Sequence, residues 1–122
     1  MAALSRARKV AIEMDTFSGL GVGIRNHSDD PFYKLTLEDV VRDDRPSWTW
    51  QLNTHVGGGL TMGATLQGQE YRSFAVQLLN EDAEVQPGDL AASTTVTITY
   101  QDVTGQTWRR TSDGDPEPIE AT

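Results

Sequence analysis

Glycine recurs at alternate positions in Gly19-x-Gly21-x-Gly23, and glycine-rich runs that open a helix are able to cradle phosphate. This spacing differs from the dinucleotide fingerprint, and no Lys-Ser/Thr pair follows as in a P-loop. Leu20, Val22 and Ile24 occupy the intervening positions, so the glycines line one face of a strand. A strand face without side chains admits a neighbouring aromatic ring or another backbone. Left uncovered, each glycine costs about 0.5–1 kcal/mol relative to alanine. Trp48 and Trp50 share a face at period two and are candidate covers. Standing exposed beside a glycine floor, they would instead form a ligand groove or a protein-binding patch.

Arg109 completes the set of candidate binding residues. Trp108-Arg109-Arg110 puts an aromatic and two guanidiniums together in an otherwise acidic chain, a mixture suited to protein contacts. The competing expectation, which we favour, is that Trp108 fills the core and Arg109 pairs with a carboxylate. His27 and His55 are the only histidines, and no motif joins them to each other or to Ser73, so no catalytic residue is assigned. Acidic pairs at Asp29-Asp30, Asp43-Asp44, Glu81-Asp82 and Asp113-x-Asp115 fall in loop-like segments. Calcium takes clustered oxygen ligands, but none of these pairs fits the EF-hand pattern. No metal ligand and no cofactor is assigned.

The elements that must position these residues are strands. Thr94–Gln101 alternates strictly, a turn follows at Asp102–Gly105, and Gln106–Arg110 returns. This predicts a hairpin with Val96, Ile98 and Tyr100 facing a core and Thr95, Thr97 and Thr99 facing out. Val10, Ile12 and Met14 alternate in the same way, and so do Tyr33, Leu35 and Leu37. Trp48–Leu52 and Arg72–Leu78 give further strands. Asn26–Pro31, Asp43–Pro46, Gly57–Gly59, Gln67-Gly68 and Asn80–Gly88 supply the turns, loops and bends. About seven short strands at this spacing predict an all-β antiparallel sandwich, with a small barrel as the structural alternative. A short arm at 1–8 precedes the sandwich at 9–111, and 112–122 is expected to be a flexible acidic tail.

The chain has 122 residues, no cysteine and a net charge of −8. That length suits one domain, which buries roughly two thirds of its unfolded surface without covalent staples. The absence of cysteine removes disulfides, thiolate metal sites and cysteine nucleophiles. The negative charge opposes attraction to nucleic acid and to anionic lipid. No membrane-spanning run or signal peptide is legible, so the chain as written is expected to be cytoplasmic. As a fragment of a membrane-anchored protein it would lie outside the cytoplasm.

Several of these landmarks together resemble a group of bacterial, mainly actinobacterial, immunoglobulin-like domains. Asn26-His27-Ser28-Asp29-Asp30-Pro31-Phe32-Tyr33 is similar to that group's turn into its third strand. Leu66-Gln67-Gly68-Gln69 resembles the turn before its fifth strand, with Gln67 in place of the usual proline. Tyr100 through Arg110 resembles its closing hairpin, and Arg8-Lys9-Val10 is similar to its opening. The resemblance spans residues 8–114, except that Trp48–Gly59 is unlike the usual central segment. It implies an immunoglobulin-like sandwich and no catalytic residues. The expected function is a non-enzymatic protein-interaction or accessory module, able to form a homo-oligomer through a strand edge. The alternative is a small-ligand or carbohydrate-binding sandwich assisted by calcium.

Overall fold

A computed structural model of the chain describes residues 2–15, 20–54, 59–87 and 93–120. A short helix, α1 (Ala2–Ala7), leads into β1 (Val10–Asp15), β2 (Leu20–Asn26), β3 (Phe32–Arg42) and β4 (Thr49–Leu52). Then follow β5 (Ala64–Leu66), β6 (Tyr71–Leu79), β7 (Val85–Gln86), β8 (Thr94–Gln101), β9 (Thr107–Thr111) and β10 (Glu117–Ile119). One antiparallel sheet runs β1-β2-β6-β4, with β7 also on β6, and the other runs β10-β9-β8-β3-β5. Their apolar faces share one core, including Val22, Ile24, Phe74, Leu37, Ile98 and Tyr100, in a β-sandwich-like layout. Among the described residues no helix is long and apolar enough to cross a membrane.

Alternation sets the core face in most strands. Val96, Ile98 and Tyr100 are buried as the alternation requires, and Trp108 joins them from β9. Phe32 meets Tyr100 edge-on, with ring centroids 5.4 Å apart, a geometry favoured by the aromatic quadrupole. β3 departs from simple alternation. Its register on β8 slips between Tyr33 and Thr36 and again between Leu37 and Asp39. Each slip inserts one residue, so Phe32, Leu35, Leu37 and Val40 all reach the core. Tyr33, expected in the core with Leu35 and Leu37, is therefore exposed, and Phe32 takes its place.

Two turns 40 residues apart are tied by Asn26, which is fully buried. Its amide donates to the carbonyls of Asp30 (2.8 Å) and Gln67 (3.0 Å), and its oxygen accepts from the Ser28 backbone N–H (2.9 Å) and hydroxyl (2.8 Å). Gly68 lets the turns touch: a Cβ there would stand 2.7 Å from the Asp29 carbonyl carbon.

The arm is helical over α1 and docks on the core. Ala7 is buried, the Tyr100 hydroxyl donates to its carbonyl at 2.8 Å, and Arg110 donates to the carbonyls of Arg8 and Val10. The segment expected as a flexible tail instead adds β10 to β9, pairing Glu117, Pro118 and Ile119 with Arg109, Trp108 and Thr107. The order has physical causes: Pro116 is buried, and Asp115 accepts a two-pronged bond from Arg8 at 3.0 and 3.1 Å.

Candidate functional site

The outward face of β3, β8, β9 and β10 is polar because β8 and β9 alternate apolar and polar residues. Thr36 lies opposite Thr99, Thr99 opposite Arg109, and Gln101 opposite Thr107. These rows line an open groove of about 510 Å³ whose wall also includes Lys34 and Ile119. Arg109 spans the groove to Glu38 with bonds of 2.8 and 3.3 Å, and that carboxylate holds the guanidinium pKa above its ordinary value. The expectation that Arg109 pairs with a carboxylate while Trp108 fills the core matches this placement. The first β3 bulge turns both Tyr33 and Lys34 outward, and Lys34, at a φ of +54°, lines the groove. A left-handed conformation at a residue with a Cβ is uncommon and re-aims its side chain.

Alternation in β3 alone hid Tyr33 and Lys34. The three-residue spacing between Phe32 and Leu35 was the available signal, because only a bulge lets both reach the core.

The glycine strand is covered, though not by tryptophan. Gly21 and Gly23 lie on the outer face of β2, and the Tyr71 ring from β6 lies across Gly23. A Cβ at Gly23 would come within 2.7 Å of two carbons of that ring. The Arg25 guanidinium stacks 4.6 Å from the ring centroid and pairs with Glu13 at 3.2 Å. Gly19 lies outside the described residues.

Trp48 and Trp50 lie on the other side of the same sheet. β4 pairs with β6, and Trp50 sits opposite the buried Leu78, so it faces the core rather than the glycines. Both rings are half-buried against the core. The Trp50 indole donates to Asp39 at 3.2 Å, and Arg42 stacks on Trp48 at 4.9 Å. An aromatic ridge beside a glycine floor is therefore not formed, because β6 and the thickness of the sheet separate the two.

Asp102 is the most heavily engaged carboxylate. Its side chain is buried and accepts from the Thr104 hydroxyl (2.6 Å), the Thr104 and Gln106 backbone N–H groups (2.9 and 3.1 Å) and the Trp108 indole (3.0 Å). Arg6 stands 3.7 Å away. Burial opposes its ionisation, but the donors outweigh burial and hold the pKa below the usual aspartate value. Burial likewise raises the Tyr100 phenol, with Arg110 opposing. Both groups hold the closing hairpin and the arm in place.

His27 is exposed, and its backbone N–H bonds the Lys9 carbonyl at 2.8 Å; His55 lies outside the described residues. The acidic pairs have local partners: Asp43 accepts from Ser93 and Thr95, Asp44 from Arg42, and Asp29 from Gln69. Among the described residues no group of three or more histidine and acidic side chains is arranged to hold a metal ion. Compared with known proteins, the chain matches no family model, no curated protein and no solved structure.

Proposed function

We propose that this chain is an immunoglobulin-like interaction module that docks a protein partner on the outer face of β3, β8, β9 and β10. The observation carrying this reading is the β3 bulge, which turns Lys34 into the wall of the hydroxyl-lined groove and leaves its neighbour Tyr33, opposite Gln101, exposed. Strained or re-aimed residues concentrate where a surface makes contacts. Tyrosine and a cation beside threonine hydroxyls suit a polar, hydrogen-bonding interface. The strand layout supports the immunoglobulin-like part. The orders β1-β2-β6-β4 and β3-β8-β9 resemble the four-plus-three arrangement of that fold, with β5, β7 and β10 as added edges. One departure is that β5, which pairs with β3, follows β4 in the chain.

Photo-crosslinking tests the reading. A crosslinking residue replacing Lys34 should give a discrete adduct in cells of the native host, and Thr99→Arg, which fills the groove, should abolish it. The same residue replacing exposed Met62 should give no such adduct. Identical adducts at both positions, or none at Lys34, would overturn the proposal.

A further inference from the structure

Among the described residues five strand edges bound the two sheets, at β1, β4, β5, β7 and β10, and they are protected unequally, β7 being only two residues long. β10 carries Pro118 within its three residues, and proline at an edge removes a donor. β5 is three residues long and pairs across a bulge, while β4 is four residues long and its Trp50 reaches across to Asp39 on β3. β1 is six residues long without proline or bulge, and only its first outward carbonyl, at Val10, is covered, by Arg110. It pairs with β2 in unbroken register from Val10↔Asn26 to Asp15↔Gly21, and it contains neither proline nor lysine.

The direction of its backbone groups follows from two bonds. The Lys9 carbonyl accepts from His27, on the β2 side, whereas the Val10 carbonyl accepts from Arg110, on the opposite side. Backbone groups alternate along a strand, so the N–H and C=O of Ile12 and Met14 point away from β2. Among the described residues no strand pairs with that side of β1. The Ile12 and Met14 side chains are half-buried against the core, so an added strand would cover them further. Glu13 projects from the outer face between them in an exposed ion pair with Arg25 at 3.2 Å, which leaves one carboxylate oxygen outside that contact.

We infer that the outer edge of β1 takes up an extended peptide segment as an additional antiparallel strand. The segment carries apolar residues opposite Ile12 and Met14 and a lysine or arginine opposite Glu13. The backbone supplies affinity and the alternating side chains supply selection, as in other strand-addition interfaces. Charge decides against a second copy as the occupant. Arg110 already holds the Val10 carbonyl, so self-pairing through Ile12 and Met14 would centre on Glu13. That register sets Glu13 against its own copy, between two chains each of net charge −8. A basic segment meets the opposite sign at both levels. This edge lies in the sheet opposite the groove lined by Lys34 and Arg109, so the two proposals stand or fall separately.

The test titrates the full chain with a capped eight-residue peptide of alternating valine and lysine. Controls are the same peptide with glutamate for lysine, and the lysine peptide N-methylated at alternate residues to remove its strand-pairing donors. The expected result is that the lysine peptide shifts the Ile12 and Met14 amide resonances and slows their hydrogen exchange. N-methylation should weaken binding at least tenfold, and Glu13→Lys should reverse the preference in favour of the glutamate peptide. Met14→Pro removes a donor that points to the free edge while leaving the β2 ladder, and should abolish binding. If that variant does not fold, the N-methylated peptide makes the same test without altering the protein. Absence of binding, equal affinity for the N-methylated peptide, or perturbation centred on another edge would overturn the inference. So would a dimer of the chain alone that protects the Ile12 and Met14 amides.

Discussion

The Tyr100 hydroxyl donates a 2.8 Å hydrogen bond to the Ala7 carbonyl, a contact within the core that joins β8 to the end of α1 across 93 residues of chain. A buried carbonyl that loses its donor costs about 1–3 kcal/mol. Tyr100→Phe keeps the ring, its edge-on contact with Phe32 and its place beside Trp108, and removes only that donor. We expect it to lower unfolding stability by ~1–3 kcal/mol in urea. The α1 and Lys9–Val10 amides should also exchange faster than the rest of the chain. Uniform acceleration across both sheets would show that the bond does not specifically anchor the arm.

Two glycines of similar crowding should behave differently on substitution. A Cβ at Gly68 meets the Asp29 carbonyl group, which belongs to a turn held by Asn26 and Ser28 and cannot move without breaking those bonds. A Cβ at Gly23 meets only the outer part of the Tyr71 ring, which can swing toward solvent. Gly68→Ala should therefore cost ~1–3 kcal/mol, as forced overpacking does. Gly23→Ala should cost less, because the displaced ring is a side-chain end that can give, at the expense of the Arg25–Tyr71 stack, while the strand gains entropy. Denaturant midpoints of the two variants decide the order, and a larger loss at Gly23 would refute it.

Those two positions also show how far the sequence could be read. Alternation placed Leu20, Val22 and Ile24 on one face and the glycines on the other, and a neighbouring aromatic was the expected cover. Which aromatic depends on strand order: β6, not β4, lies beside β2, so Tyr71 does what Trp48 and Trp50 were expected to do. Pairing across 40 or more residues leaves no local mark in a sequence, whereas a face repeats every second residue. The closing hairpin was legible because both strands and their turn are contiguous. The outward turn of Tyr33 and Lys34 was not, since a bulge changes phase within a strand and one inserted residue exchanges the faces. Order at 115–120 was hidden for a related reason: its partners, Arg8 and β9, lie elsewhere in the chain.

Asp102 makes stability depend on pH in a defined direction. Its pKa is lowered in the folded chain, so unfolding at acidic pH takes up a proton that the native carboxylate resists. The stabilisation is present in full above the ordinary aspartate range and is lost as the pH falls through the lower folded value. Asp102→Asn exchanges one acceptor oxygen for a donor facing other donors. It should cost ~1.5–3 kcal/mol at pH 7, the scale of hydrogen bonds to a charged group. Urea midpoints followed from pH 6 to pH 2 should fall less steeply in the variant than in the natural chain. Parallel curves would mean that other carboxylates carry the acid sensitivity.

Removal of residues 115–122 addresses whether the C-terminal segment contributes to the fold. The cut deletes the three-residue pairing of β10 on β9, the buried Pro116 ring and the Arg8–Asp115 pair. The ion pair is exposed on both sides, with side-chain exposures of 50% and 66%, and such pairs contribute little. The loss must therefore come from the backbone bonds, the proline and the Gln106 amide bond to the Ile119 carbonyl (3.2 Å), offset by the entropy released when the segment is freed. The balance predicts a net loss of ~1–2 kcal/mol, or a melting temperature lower by about 3–10 °C for a domain of this size. The truncated chain should also exchange its Thr107 and Arg109 amides faster, because their outer edge becomes open to water. An unchanged melting temperature with unchanged exchange along β9 would mean that β10 adds no stability to the sheet it borders.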